Sequence, residues 1–295
     1  MSAYRFILAE RAVWSLRAMC RALRVSRSAY HAWAAREPAE KAAADKVLQV
    51  HIKATHRRSR GTYGVPRMTV ELRAEGHAVG RTRVGRLMRE LGLQGIPKRR
   101  FRGTTTDSDH TDRVAENLLD RQFTVEKPDT AWVGDITYLP TAEGWVYLAV
   151  LIDLFSRKVV GWALRSHMRT ELCLSALQSA VTTRRPAPGL VHHTDRGSQY
   201  TSEHYQNALG EFGATPSMSR KGNCWDNAVS ESFFGTMEQE LVIPKGRWPD
   251  QKAARRAVSD YIHGFYNHQR RHSTLGYLSP VHYEAAHRAR EARAA

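Results

Sequence analysis

The sequence predicts an α/β protein, a mixed five-stranded sheet flanked by helices, preceded by an all-α basic region. Two observations lead there. The front of the chain repeats apolar residues at helical spacing, whereas residues beyond 130 turn to β-branched and aromatic runs broken by tight turns. Charge divides in the same way: residues 1–115 carry 24 Lys+Arg against 10 Asp+Glu, a net +14, while the remainder carries 21 against 19, a net +2.

In the helical front, Val13, Leu16, Met19 and Leu23 recur at helical spacing over residues 12–24. Ser26 then offers an N-cap to a second short helix with Arg27 on its outer face, the shape of a helix-turn-helix over residues 1–58. An Ala-rich helix is expected from Glu37 to His56. Residues 59–95 repeat the theme, with Met68, Val70 and Leu72, then Val84, Leu87, Met88 and Leu91, on either side of a turn at Glu75-Gly76-His77. The second of these helices carries Arg81, Arg83, Arg86 and Arg89. Phosphate contact is one reading of that surface and a solvated face the other. Residues 96–130 lose periodicity; they read as a basic linker or arm, with Arg99 and Arg100 as DNA contacts.

Strands follow at residues 132–139, 146–155 and 158–164, joined as hairpins. A helix (170–183), a strand (190–193), a helix (202–212), a strand (215–219) and a helix after Asn223 complete a β-β-β-α-β-α-β-α order over residues 131–245. Residues 246–295 form a helical, basic extension containing Asn267-His268-Gln269-Arg270-Arg271-His272.

A charge inside a strand needs a reason. Asp135 lies mid-strand, and Asp195 follows the C-terminal end of the fourth strand, where open sheets place ligands. Facing carboxylates repel unless a cation lies between them, and hard oxygen ligands suit Mg²⁺ or Mn²⁺. The alternative is that Asp135 pairs with an arginine and Asp195 caps a turn. Asp153 is read as a turn-organising acid, and His192 and His193 as groups that pack or orient the Asp195 loop.

Three cysteines at unpaired spacing suit a reducing compartment, no run is long enough for a membrane span, and no signal peptide is evident. A basic folded region favours a polyanion, foremost nucleic acid.

WVGDITYLP, HHTDRGSQY, WDNAVSESFF and YNHQRRHSTLGYLSP, in that order, closely resemble the second-frame (OrfB) transposases of the IS-three family of bacterial insertion sequences. Between Asp195 and Glu231 lie 35 residues, the interval of the DD(35)E group. The resemblance spans essentially the whole chain. It implies an RNase H-like integrase core in which Asp135, Asp195 and Glu231 hold two catalytic Mg²⁺ or Mn²⁺ ions. It also implies binding of element ends (terminal inverted repeats) and target DNA, cleavage, and strand transfer by the freed 3′-hydroxyl. Further implications are a homo-oligomer on DNA, an upstream first-frame product as partner or fusion, and a cytoplasmic, nucleoid-associated setting.

Arg196, Arg220, Lys221, Asn223, Arg270 and Arg271 are the expected DNA contacts around the core, Asp226 the expected helix N-cap, and Glu240 an ordinary exposed acid. Glu238, two helical turns past Glu231, stands where the family commonly carries Lys or Arg. Rival readings are a transposase-derived DNA-binding regulator with an impaired site and an RNase H-type nuclease.

Overall fold

The computed structural model describes residues 2–96, 114–221 and 223–294, without the side chains of residues 36–39 and 224. Arg99 and Arg100 therefore lie outside the described residues. The chain divides into two compact units, residues 1–95 and 96–295.

The first unit is all α. Helix α1 (Ala3–Glu10) and α2 (Leu16–Ala22) pack on the start of α3 (Arg27–Arg58) around buried Ile7, Met19, Cys20 and Tyr30. The helix expected from residue 12 begins four residues later, because Ser15 caps it, its hydroxyl accepting from the Ala18 N–H. That leaves Val13 and Trp14 exposed in the connection. Ser26 caps α3 as expected, accepting from the Ala29 N–H at 3.0 Å. The two helices expected over 26–35 and 37–56 are one, although Pro38 lies within it.

Helices α4 (Val65–Ala74) and α5 (Arg81–Glu90) pack against each other and against α3. Met68, Leu72, Val84, Leu87 and Met88 form the shared apolar seam. On α4, Thr69 takes the buried position next to Met68 and Val70 is only partly covered; the Thr69 hydroxyl donates to the Val65 carbonyl at 2.7 Å, which satisfies it inside the helix.

The second unit is built on five strands: β1 (Ala131–Thr141), β2 (Gly144–Asp153), β3 (Val159–Arg165), β4 (Val191–Thr194) and β5 (Thr215–Met218), in the order β3-β2-β1-β4-β5. The β1–β2 and β2–β3 pairs are antiparallel, and β4 and β5 add in parallel. This is the mixed sheet expected of an RNase H-like core. One face, with Trp132, Ala149 and Leu151, packs on α6 (Thr170–Arg184) and α8 (Glu203–Glu211) through Leu172, Ala176, Leu177, Tyr205 and Leu209. Gly161 on β3 is needed there, because a Cβ would stand 2.4 Å from the Ala176 carbonyl oxygen. A short helix, α7 (Ser198–Thr201), precedes α8. Strand alternation turns Leu148, Val150 and Ile152 to the other face, on the side of β1 where α9 (Ala228–Met237) and α11 (Gln251–Ser259) pack.

Asp153 organises the β2–β3 turn from full burial, accepting from Ser156 N–H (2.9 Å), the Ser156 hydroxyl (2.6 Å) and Asp129 N–H (2.9 Å). Past α9 the chain winds as a π-helical turn (Glu238–Val242), a one-turn α10 (Ile243–Lys245) and α11, which continues in π geometry over Asp260–Tyr266. The last helix, α12 (Pro280–Ala294), is tied to the β2–β3 turn and the end of α6 by buried Glu284, which meets Lys158 at 3.1 Å and Arg184 at 3.0 Å.

Candidate active site

Register brings the first two acids together. Val133 of β1 pairs with His193 of β4 in parallel, so two residues further along each strand Asp135 and Asp195 come level. Alternation sends both to the face on which α9 packs against β1. Glu231 lies in the first turns of α9. The electrostatics agree: burial pushes Asp135 well above the ordinary carboxylate range, and the negative charges of Asp195 and Glu231 push it further. Burial also raises Glu231. Two backbone amides orient the aspartates, Ile136 N–H on Asp135 Oδ1 (2.8 Å) and Gly197 N–H on Asp195 Oδ1 (3.0 Å).

The strand carrying Asp195 is seated by two histidines. His192 turns into the α8 side, where its Nε2 meets the Tyr205 hydroxyl at 2.8 Å and closes against Gly134, which has no room for a Cβ (2.9 Å to His192 Cε1). His193 turns to the opposite side, bridging Ser217 (2.8 Å) and Ser219 (3.2 Å) of the neighbouring strand and its extension. Burial lowers their pKa values to about 3 and about 4, so both imidazoles are neutral at pH 7. They position the strand.

Asp226 is not the N-cap of α9. It is fully buried in a 3₁₀ turn (Cys224–Asn227) and gathers Arg220 (Nε and Nη2, both 2.8 Å, and the backbone N–H, 3.0 Å), Arg121 (2.9 Å) and Asn117 (3.0 Å). The Arg220 bidentate pair holds the Asp226 carboxyl far below its usual range. This latch closes the loop ahead of Glu231. It also fastens residues 114–121, assigned by sequence to the linker, along β5, where Leu118 and Leu119 N–H groups donate to Ser217 Oγ (3.0 and 3.3 Å). The latch is invisible in the sequence because Asn117 and Asp226 are 109 residues apart. Trp225, unremarked in the sequence, stands 69% exposed on the same turn.

The expected DNA contacts separate into groups. Arg27, Arg81, Arg89 and Lys221 are exposed, and Asn223 is partly covered with its Oδ1 buried and unpaired. Arg83 and Arg86 both grip Asp45 of α3 (2.7 and 2.5 Å), which lowers the Asp45 pKa. Arg196 donates to the Ser219 carbonyl (2.7 Å) and Arg271 to that of Tyr277 (3.0 Å).

Arg270 is not a surface contact. It is buried, forking onto Glu240 at 2.9–3.0 Å, while the Tyr261 hydroxyl donates to the same carboxylate at 2.9 Å. Glu240, expected to be exposed, is thus an interior acid, because the π-helical turn after Met237 rotates it inward. Asn267 likewise serves structure, its amide exchanging two hydrogen bonds with the Val159 backbone at the β3 edge (3.0 and 2.9 Å). Glu238 is exposed where α9 gives way to that turn.

Residues 125–224 and 212–280 each match the model of the Integrase core domain, and residues 42–101 match that of an HTH-like domain. The chain is 44% identical over 263 residues to the insertion element IS600 uncharacterized 31 kDa protein of Shigella sonnei, covering 89% of this chain and 96% of that one. It is 40% identical over 285 residues to the transposase InsF for insertion sequence IS3A of Escherichia coli, covering 95% and 98%. Among solved structures, the simian T-cell lymphotropic virus intasome with a PP2A regulatory subunit is similar at 16% identity and TM-score 0.44, over 79% of this chain and 74% of that one. With a relative this similar along nearly its full length, and with its sheet carrying the integrase-core motifs in order, the chain belongs to the DNA transposases of the IS3 family.

Proposed function

We propose that Asp135, Asp195 and Glu231 are the catalytic carboxylates of this transposase and that they hold two Mg²⁺ or Mn²⁺ ions during cleavage and transfer of insertion-sequence ends. The convergence of three acids from β1, the β4 end and α9 carries the reading. The donor set fits: all ligands are hard carboxylate oxygens, and two of the three acids are held above their ordinary pKa by burial, a cost that a divalent cation removes. Bound there, a pair of ions would activate the attacking hydroxyl and stabilise the leaving oxygen of a phosphodiester.

The protein's own groups do the rest. The Ile136 and Gly197 amides fix the rotamers of the aspartates, the Asp226 latch fixes the loop before Glu231, and the exposure of Lys221 and of Arg27 supports reading each as a phosphate contact. Water opens the phosphodiester at the element end, and the 3′-hydroxyl so released attacks a second phosphodiester, each step exchanging one P–O bond for another. The proposal extends to binding of terminal inverted repeats and target DNA, a homo-oligomer on that DNA, an upstream first-frame product as partner, and a nucleoid-associated cytoplasmic setting.

Strand transfer of labelled element-end DNA with Mg²⁺ tests it. The unmodified chain should give transfer products; Asp135→Asn should abolish them while end binding in Ca²⁺ persists. Transfer by Asp135→Asn at the parent rate would remove the assignment.

A further inference from the structure

A second group of ligand-type side chains lies in the helical unit. His51, Glu75 and His77 each present one ligand atom, and these atoms all lie within 4.8 Å of one another. The His51 and His77 rings meet edge to face at 4.2 Å between centroids. Both are partly covered, and Glu75 is exposed.

The backbone builds this arrangement. His51 and Thr55 are one turn apart on α3, so they share a face, and that face meets the turn closing α4. Glu75 is the C-cap of α4, and Gly76 follows with φ +90°, a left-handed conformation that suits glycine. The His77 N–H donates to the Leu72 carbonyl at 2.9 Å. Glu75 and His77 are thereby held on opposite sides of one tight turn. Glu75 Oε1 already has the Arg58 guanidinium and, at 3.5 Å, the Thr55 hydroxyl. Oε2 is therefore the oxygen assigned to a metal, with Arg58 and Thr55 orienting the carboxylate from behind.

We propose that His51, Glu75 and His77 form a zinc-type divalent cation site that fastens α3 to the turn between α4 and α5. Two imidazoles and one carboxylate are the ligand mixture of borderline transition metals, unlike the all-carboxylate centre of the second unit. Tetrahedral ligands about 2.0–2.2 Å from zinc stand roughly 3.4 Å apart, so closing from the 4.8 Å limit takes an approach of up to about 1.4 Å, within reach of side-chain rotation. Three protein ligands leave a fourth position for water. The site ties together the helices of the DNA-binding candidate module, and its occupancy would stiffen them. It does not depend on the catalytic assignment.

Cobalt reports the difference between the two centres, because tetrahedral nitrogen-containing ligation gives intense visible absorption and an all-oxygen octahedral site gives almost none. Chelator-stripped full-length chain titrated with Co²⁺ should develop one such band per chain, displaced by Zn²⁺ and retained in Asp135→Asn. His51→Ala and His77→Gln should each lose it with unchanged helical circular dichroism. Absence of the band in the unmodified chain, or its persistence in both histidine variants, overturns the site. Should a variant lose helix content, the unmodified chain decides: Zn²⁺ must slow diethyl pyrocarbonate modification of His51 and His77, and an unchanged rate refutes the proposal.

Discussion

At the scale of single residues, the acids in and around α9 serve different ends. The charge of Glu231 is felt at Asp135, Asp226 anchors a buried latch, and Glu240 is drawn inside to Arg270. Breaking a buried ion pair by removing one partner costs about 3–5 kcal/mol, because the other charge is left unpaired. Arg270→Ala should therefore lower the unfolding free energy by an amount of that order in urea titration. Its affinity for element-end DNA, measured where the variant is still folded, should stay near that of the parent chain. A large loss of binding with unchanged stability would return Arg270 to the DNA surface. Spacing could not have separated these roles, since a π-helical turn shifts the side-chain phase by a fraction of a turn and leaves no local signature.

At the scale of elements, β4 shows how a four-residue strand can seat Asp195, the proposed catalytic acid that follows its end. Its neighbours β1 and β5 hold it on both edges, and His192 and His193 pin its two faces. The histidines also impose a pH limit. An unfolded imidazole takes up its proton near pH 6.5, whereas in the folded chain these do so only near about 3 and about 4. The unfolded state thus binds more protons in that window, so their contribution is complete above pH 6.5 and is lost progressively as pH falls towards 4. Thermal midpoints should drop across this range, and His193→Gln should flatten the slope; an equally steep profile in that variant would assign the loss elsewhere. In the helical unit, α5 splits its arginines in two: Arg83 and Arg86 close on Asp45, while Arg81 and Arg89 stand exposed. Arg81→Ala or Arg89→Ala should weaken DNA binding similarly across sequences and reduce the salt slope by about one. Arg83→Ala should instead mainly lower the melting temperature. Equal salt slopes for all three variants would deny that division.

At the scale of the whole molecule, charge and pattern describe a basic helical front and a nearly neutral sheet-bearing unit, and the two compact units carry that division. Among the described residues no helix is long and apolar enough to cross a membrane. The five strands were legible because β-branched and aromatic runs ended at turn residues, and the acids were legible because Asp135 breaks an apolar strand and Asp195 follows another. Helix boundaries in the front were less so: Ser26 was legible as a cap, but the apolar spacing from Val13 hid the start of α2 at the Ser15 cap, and nothing local marks α3 as continuous. The sequence by itself determined the strand order along the chain, the charge division and the candidacy of Asp135 and Asp195, since these follow from composition, alternation and spacing, while Glu231 joined them through the family resemblance. Only the tertiary structure decided which charged groups face solvent and which neutralise one another inside. Asp226 with Asn117 and Arg121, Glu240 with Arg270, Glu284 with Arg184, and His51 with His77 join segments far apart in the chain, and such pairings are set by the packing of whole elements against the sheet and helices.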